Sequence, residues 1–399
     1  MGDNMKFFSD LPVKEISRIF YKEPSYIRKS SPKEYLSLAL GATLYMPAFK
    51  EGILDIILNN KYKRLTSMVL CLEDSVPEER VEEAEKNLID VLSKLTHCIE
   101  ENKCIKGNKS IEENMPLIFV RVRNVEQFKR ISENRKNFYP LTGFNFPKFD
   151  STNGEEYLKI LKDINKDMSY NLYAMPILES KNIIYKESRL EELIKVKKIL
   201  DAYKSNVLNI RIGGTDFLGL YAIRRQVDNS IYDIGVVKDC IADIVNMFGR
   251  AEEEYTISGP VWEYFNTNPD NRIFKPQLRQ SPFVEHLGES GLKKRDYYVE
   301  KCIDGLIKEV VLDKANGLIG KTIIHPSHIS IVNALYVVTK EEYDDARFII
   351  ESNKGGAYKS RYNNKMNEVN PHLNWANKIL RRAHVYGVFN EDKSYVDLL

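Results

Sequence analysis

The sequence predicts an α/β protein built as a (β/α)8 TIM barrel. Short apolar runs recur along the chain, and stretches with apolar residues at helical spacing separate them. Most runs are continuously apolar, which is typical of parallel strands buried on both faces. Eightfold strand–helix alternation favours a closed barrel. A doubly wound open sheet is the alternative, but no GxGxxG motif follows the first run.

The predicted strands follow one another at intervals that leave room for a helix. They are ATLYMP (42–47), SMVLCL (67–72), PLIFVRV (116–122), TGFNFPK (142–148), NLYAMPILE (171–179), VLNIRIGG (207–214), EYTISGP (254–260) and GKTIIHP (320–326). Among the stretches between them, SVPEERVEEAEKNLIDVLSKL begins with Ser75 and acidic residues, as helix N-termini do. RLEELIKVKKILDAYK and VVKDCIADIVNMFGRAEEE show the same helical spacing.

Three segments exceed a minimal barrel. Residues 1–40 form an N-terminal extension, and the barrel is expected over 41–340. Residues 265–292 are rich in Asn, Pro and Gln, which indicates an inserted loop. Residues 341–399 begin polar and Gly-rich and then become helical in pattern. We interpret this last segment as a helical lid or oligomerisation segment.

Composition narrows the functional classes. A net charge of +2, with acids and bases mixed, argues against nucleic acid as the main partner. The five scattered cysteines form neither a disulfide framework nor a CxxC pattern, and a metal cluster of His97, Cys98 and Cys104 is the alternative to reduced thiols. No apolar run approaches the ~18 residues of a membrane span, and MGDNMKFF lacks a signal peptide's apolar region. We therefore expect a cytoplasmic protein with no membrane partner.

Polar residues stand at the C-terminal ends of the predicted strands, where active sites of such barrels lie. In chain order they are Glu73 and Asp74, Arg121, Lys148, Glu179, and Asp216 preceded by Gly213 and Gly214. Independent helix caps would not collect on one rim so consistently. Their convergence therefore favours a functional site.

The residue types at this rim suit one chemistry. Glu179 and Asp216 follow neighbouring strands, and two carboxylates with waters and substrate oxygens are what Mg²⁺ accepts. Glycines let the backbone approach the ion or ligand. Arg121 offers a planar fork for a carboxylate or a developing enolate oxygen. Together these groups would stabilise negative charge on oxygen when a C–C bond forms or breaks beside a carbonyl.

Each of these residues also has a structural alternative. Glu179 and Asp216 could cap the helices that follow them. Lys148 could cover the rim of the barrel, and we interpret Arg123 as a structural ion-pair residue. The HxxH spacing that begins at His325 suits zinc, but no third ligand is evident and a local hydrogen bond is the alternative.

Seven segments, in order, resemble the HpcH/HpaI aldolase and citrate lyase β-subunit superfamily. They are LYMPA, LCLEDSVPEERVEEAEKNL, IFVRVRN, FPKFD, MPILES, RIGGTDFLGL and GKTIIHPSHISIVN, roughly within residues 40–345. The stretches SGPVWEYF and NKMNEVNPHLNWANKILRRA look like one branch, the TIM-barrel C–C bond lyases associated with tellurite-resistance and stress-response gene clusters.

This resemblance implies a Mg²⁺-dependent lyase or aldolase, with Mn²⁺ as a substitute ion. Its substrate would be a small keto acid or an acyl thioester, handled through a metal-stabilised enolate. It also implies a homo-oligomer, a trimer or hexamer, with swapped C-terminal elements. The residues that carry over are the metal ligands Glu179 and Asp216, the catalytic and substrate-binding Arg121, the catalytic pair Glu73 and Asp74, and the substrate-binding Lys148. We also expect Gly213 and Gly214 to bind substrate, because glycines let the backbone approach a ligand.

The chain also departs from the family pattern. Where citrate lyase-like members carry Gly and Arg after the first-strand proline, residues 48–50 read Ala-Phe-Lys. We therefore do not expect coenzyme A to bind in the family's usual way. We expect Glu73 to hold a metal-bound water, and Asp74 either to orient Arg121 or to cap the helix from Ser75. The alternatives are malate synthase-like acyl-thioester condensation or hydrolysis, and a non-catalytic ligand-binding barrel in a stress-response assembly.

Overall fold

The centre of the protein is a closed barrel of eight parallel strands. The computed structural model describes residues 5–101, 115–265, 301–352, 355–362 and 364–399, together with Gly288 and Ser290. A short strand outside the barrel, β1 (Phe20–Lys22), comes first in the chain. The barrel strands are β2 (Ala42–Pro47), β3 (Ser67–Cys71), β4 (Leu117–Arg121), β5 (Leu141–Phe146), β6 (Tyr173–Leu178), β7 (Ile210–Ile212), β8 (Ile257–Trp262) and β9 (Lys321–Ile323). All eight predicted strands are confirmed.

Burial on both faces explains why these runs are continuously apolar. Every residue of β3, β4, β5 and β6 is buried. The strands lie in parallel register, for example Ser67 opposite Leu117, so their carboxyl ends meet at one rim. Gly143 permits a close approach of two strands, because a Cβ there would lie 2.0 Å from the Tyr173 carbonyl oxygen. The predicted sixth run, 207–214, pairs over only three residues because the chain turns at Gly213 into a helix.

Helices pack around the barrel. Within the described ranges they are α1 (Val13–Ile19), α2 (Lys33–Leu36), α3 (Ile53–Leu58), α4 (Val81–Glu100), α5 (Val125–Ser132), α6 (Gly154–Lys166), α7 (Lys181–Ile184), α8 (Lys186–Ala202), α9 (Gly214–Gly219), α10 (Gly235–Phe248), α11 (Lys301–Ala315), α12 (His328–Leu335), α13 (Lys340–Glu351) and α14 (Val369–Tyr386). The helix expected from Ser75 begins later. Pro77 is extended (ψ 149°), and a 3₁₀ turn over Glu78–Arg80 leads into α4.

The two terminal segments contact each other. β1 pairs antiparallel with β12 (Val388–Phe389), and the rings of Phe7 and Tyr386 lie 4.4 Å apart. α13 packs against α14, and an antiparallel pair, β10 (Ala357–Lys359) with β11 (Met366–Glu368), joins them. The helical part of the C-terminal prediction is therefore observed. The β10–β11 hairpin was missed because its sequence is polar and carries no apolar alternation.

Two other expectations meet the structure only in part. The insertion 265–292 lies almost wholly outside the described residues, and so does Cys104 of the alternative metal cluster. His97 Nε2 lies 2.9 Å from Glu101 Oε1. In the described part of the chain, no helix combines the length and apolarity needed to cross a membrane.

A buried network of charges fixes β9 to the helical layer. Lys321 Nζ lies 3.0 Å from Glu309 Oε1 and 2.8 Å from Asp313 Oδ2, and all three side chains are fully buried. Arg225 donates to the other oxygen of Glu309, and Tyr232 Oη lies 2.7 Å from Asp313 Oδ1. Each charge in this network has an opposite charge in contact, which is what burial requires.

Substitution of Lys321 by Met should be strongly destabilising. Removing the Lys321 ammonium group takes a cationic partner from the buried carboxylates of Glu309 and Asp313. Breaking a buried ion pair costs about 3–5 kcal/mol of stability. Denaturant unfolding measures the loss. The matched control is Lys94→Met, since Lys94 pairs with Asp90 at 2.6 Å in solvent and should change the unfolding free energy by less than about 1 kcal/mol. Equal losses in the two variants would contradict the structural role of the network.

Candidate active site

The C-terminal rim of the barrel opens into a cavity of about 720 Å³. Side chains from β2, β3, β4, β6, β7, β8 and β9 reach it, as expected where parallel strands end together. The predicted site residues on its lining are Asp74, Arg121, Glu179, Gly213, Gly214 and Asp216. Glu73 and Lys148 join the same group through ion pairs described below.

The guanidinium of Arg121 is the centre of the site. Its Nη2 lies 2.6 Å from Glu73 Oε2, 3.1 Å from Asp74 Oδ2 and 3.2 Å from Glu179 Oε1. Burial alone would lower the pKa of Arg121, but the surrounding negative charge, led by Glu179, raises it well above its usual value. Among the described residues no hydrogen-bond partner meets its Nε, which is itself buried.

Glu73 and Asp74 share the cations around them but differ in burial. The side chain of Glu73 is 4% exposed and its Oε1 lies 2.5 Å from Lys148 Nζ, whereas Asp74 is 52% exposed. Burial raises the pKa of Glu73. Burial would also raise the pKa of Asp74, but the contacts with Glu73, Arg121 and Lys148 lower it.

Asp74 contacts Arg121, as one of its two expectations requires. Its Oδ2 accepts from Arg121 Nη2, and the orienting role itself stays a prediction. Neither α4 nor the 3₁₀ turn before it has a side-chain cap, so the capping alternative is not observed. Both oxygens of Glu73 lie in ion pairs, and its predicted contact with a metal-bound water stays a prediction.

Lys148 is held at two points and does more than cover the rim. Its backbone is left-handed (φ 47°), a conformation that costs a non-glycine residue about 1–3 kcal/mol. In this conformation its backbone N–H donates to Glu179 Oε1 at 2.8 Å, and Asn153 Nδ2 donates to its carbonyl oxygen at 2.9 Å. Its Nζ simultaneously pairs with Glu73. Lys148 therefore links Glu179 and Glu73 within the site.

Glu179 and Asp216 face the same cavity from neighbouring strands. Glu179 follows β6, and Asp216 lies in the first turn of α9 after Gly213. Neither α7 nor α9 shows a side-chain cap, so the capping alternative is not observed for these carboxylates. Burial raises the pKa of Glu179 to about 8, and the nearby Asp216 carboxylate adds to this against the opposing effect of Arg121.

This donor set fits magnesium better than zinc. Within the described ranges, no group of three or more His, Cys, Asp and Glu side chains converges to hold a metal. The Asp216 carboxylate lies near enough to Glu179 to raise its pKa, so the two carboxylates repel each other, and a divalent cation would relieve this repulsion. Waters and substrate oxygens would complete its coordination, which is usual for Mg²⁺. In the HxxH segment, His325 Nδ1 lies 2.8 Å from Ser327 Oγ, the predicted local contact.

Two polar residues near the rim have structural roles. Arg123 Nη1 lies 2.7 Å from Glu78 Oε2, so its interpretation as an ion-pair residue is confirmed. Asn124, which follows it, caps α5 by accepting from the Gln127 backbone N–H at 2.9 Å.

The sequence analysis missed Arg211, which also lines the cavity. Arg211 lies within β7 and its Nη2 donates to Thr322 Oγ1 at 2.7 Å. Its signal was an arginine inside the mainly apolar run VLNIRIGG, two residues before Gly213. Arg211 lies in the middle of a strand, whereas the predicted site residues stand at strand ends.

Fold and site together define a TIM-barrel protein with an acidic, arginine-centred cavity at its strand ends. Residues 34–388 match the family described as C-C bond lyase of the TIM-barrel fold, and the chain belongs to this family. No curated protein matches the chain. The link to tellurite resistance and stress response stays a prediction.

The chain is similar to several solved structures, of which three bacterial examples follow. One is the protein CitE from Mycobacterium tuberculosis in complex with magnesium, acetoacetate and coenzyme A (17% identity, TM-score 0.49, covering 87% of this chain and 99% of that one). Another is the citrate lyase beta subunit with oxaloacetate and magnesium from M. tuberculosis (16%, 0.42, 74% and 96%). A third is RipC from Yersinia pestis (14%, 0.40, 73% and 93%).

Substitution of Gly213 by Ala should disturb Glu179 directly. A Cβ at Gly213 would lie 2.1 Å from Glu179 Oε2 and 2.3 Å from its Cβ, so Glu179 must move. We expect a loss of about 1–3 kcal/mol in unfolding free energy, the usual cost of overpacking, measured by denaturant unfolding. The control is Gly235→Ala at the start of α10, where nothing lies within 4 Å of the added carbon. The contact is unimportant if both variants unfold alike.

Proposed function

We propose that the protein is a Mg²⁺-dependent carbon–carbon lyase or aldolase that acts on a small keto acid through an enolate. The observation that carries this proposal is the group around Arg121. One buried guanidinium touches Glu73, Asp74 and Glu179 at a cavity that Asp216 also lines. Membership of the C–C bond lyase family supports the reaction class.

Glu179 and Asp216 are the residues that would hold the cation. A divalent ion bound there supplies a Lewis acid for the oxygens of a keto acid. The carboxylate of Glu179 is positioned by the Lys148 backbone N–H and by Arg121, so its direction into the cavity is fixed before any ligand arrives. Asp216 is placed by the first turn of α9, whose start at Gly213 packs against Glu179.

Arg121 is the residue we assign to the substrate's developing negative charge. When a C–C bond breaks beside a carbonyl, its electron pair moves onto the carbonyl oxygen. A buried, permanently charged donor aimed at that oxygen stabilises the charge without rearrangement during the reaction. Glu73 and Asp74 keep the guanidinium in place through contacts of 2.6 Å and 3.1 Å.

The metal assignment is tested by binding. Alanine at Glu179 or at Asp216 removes one of two protein carboxylates, so we expect each variant to bind Mg²⁺ at least about tenfold more weakly in calorimetry. The control is Glu191→Ala, an exposed carboxylate on α8 that pairs with Lys195 at 2.6 Å and should leave Mg²⁺ affinity unchanged. If both site variants keep the affinity of the unmodified protein, the assignment is wrong.

The role of Arg121 is tested by turnover. Arg121→Lys keeps the charge but loses the fork, and we expect turnover on a keto-acid panel to fall about 10²–10³-fold. The Mg²⁺ affinity should stay near that of the unmodified protein. The control is Arg130→Lys on α5, since Arg130 pairs with Glu85 on the surface. Undiminished turnover in Arg121→Lys would contradict the proposed role.

The same panel separates the alternatives. It should include acyl thioesters, with release of thiol measured alongside cleavage of keto acids. Thiol release in place of keto-acid cleavage would favour acyl-thioester condensation or hydrolysis. Mg²⁺ binding with no turnover on either set would favour a ligand-binding barrel.

A further inference from the structure

Arg211 is a buried cation at the floor of the cavity. The residue is 1% exposed and extends from β7 across the barrel interior. Its Nη2 donates to Thr322 Oγ1 at 2.7 Å, and its Nη1 lies 3.4 Å from Thr43 Oγ1 and 3.9 Å from Met175 Sδ. Interior layers of such barrels are dominated by branched apolar side chains, so an arginine is not ordinary filling at this position.

Arg211 differs from the other buried arginines in having no carboxylate beside it. Arg225 is 2% exposed and contacts Glu309 and Glu263, whereas no carboxylate within the described part of the chain pairs with Arg211. The Nε of Arg211 also lacks a partner there. Burial of an unpaired charge is costly, which indicates that something else supplies the negative charge.

The neighbouring Tyr45 cannot supply it. The ring of Tyr45 lies 5.5 Å from the Arg211 guanidinium carbon, and its hydroxyl oxygen accepts from Asn145 Nδ2 at 2.5 Å. Burial raises the pKa of Tyr45, so the phenol stays neutral at physiological pH. Arginine does not lose its proton in proteins, even though burial lowers the pKa of Arg211. The positive charge therefore stays uncompensated by Tyr45.

Arg211 lies a short distance from the groups assigned to the reaction. It stands two residues before Gly213, the residue that follows β7, and two residues of a parallel strand span roughly 6.6 Å. Gly213 packs against Glu179, and Tyr45 lies near enough to feel the charges of Arg211, Arg121 and Glu179. A ligand held at Arg121 could therefore extend past Tyr45 to Arg211.

We propose that Arg211 binds the second carboxylate of a short dicarboxylic keto acid whose reacting end lies at Arg121 and Glu179. This inference rests on the proposed function for the position of the reacting end. With every group ionised, the site has a net charge of −1, from four carboxylates (Glu73, Asp74, Glu179 and Asp216) and three cations (Arg121, Lys148 and Arg211). A bound divalent cation changes this net charge to +1, so the loaded cavity attracts an anion. Arg211 then determines specificity for dicarboxylates over monocarboxylates.

Matched ligand pairs test this specificity. Calorimetry, with and without Mg²⁺, would compare α-ketoglutarate with α-ketovalerate, and oxaloacetate with α-ketobutyrate, which differ in the distal carboxylate against a methyl group. We expect the unmodified protein to bind each dicarboxylate at least about tenfold more tightly, the effect of one charge-assisted hydrogen bond. Arg211→Met should reduce this ratio to near one while leaving monocarboxylate affinity unchanged. Arg211→Lys should keep part of the preference.

The inference is overturned if the unmodified protein shows no preference, or if Arg211→Met keeps the preference. If folded Arg211→Met loses affinity for both ligand types equally, Arg211 has a packing role and the inference is also overturned. Thermal unfolding provides the control for folding. Arg225→Met should lower the melting temperature clearly because buried Glu309 loses one of its two cationic partners, whereas Arg211→Met should lower it less or raise it.

These readouts are separate from those of the proposed reaction. Glu179→Ala should weaken the Mg²⁺-dependent binding of both ligand types equally. The ratio of dicarboxylate to monocarboxylate affinity, which reports on Arg211, should stay unchanged. A preserved ratio with no lyase turnover would support Arg211 as an anion site and count against the lyase. Lyase turnover without a preference for dicarboxylates would support the lyase and count against Arg211 as an anion site.

Discussion

The site depends on one interaction, the contact of the Arg121 guanidinium with three carboxylates. These carboxylates follow β3 and β6, and Arg121 itself ends β4, so a single side chain joins three strand ends across the rim. Each partner in this interaction stabilises the charge of the other. Arg121 lowers the cost of burying Glu179, and the carboxylates keep Arg121 charged in a place where burial opposes charge.

Buried charges in this protein fall into two kinds. Behind the barrel wall, Lys321 and Arg225 meet Glu309 and Asp313 in contact distance, and such pairing holds elements together without a ligand. Inside the cavity, Arg211 is just as buried but meets hydroxyl groups and a sulfur atom. Charges of the first kind have opposite charges in contact within the chain. The charge of the second kind has no such partner within the described residues. This contrast separates charges that stabilise the fold from a charge placed for a ligand.

The backbone around Glu179 shows how closely the site is fitted. Lys148 takes a left-handed conformation that brings its N–H to Glu179, and Gly213 leaves no room for a side chain beside the same carboxylate. Both features cost conformational freedom or strain. Their shared target is one carboxylate at the cavity wall, which is consistent with a ligand whose position must be set accurately.

The barrel and most of its rim follow from the amino-acid sequence. Continuous apolar runs require burial on both faces, so eight of them with helices between leave few arrangements, and the parallel register then brings Glu73, Arg121, Glu179 and Asp216 to one end. The pairing of one charge with another follows only from the three-dimensional arrangement. The contact of Asp74 with Arg121, the link from Lys148 to Glu179 and the isolation of Arg211 depend on distances across the barrel. Spacing along a chain carries no information about such distances, because they are set by how the strands close.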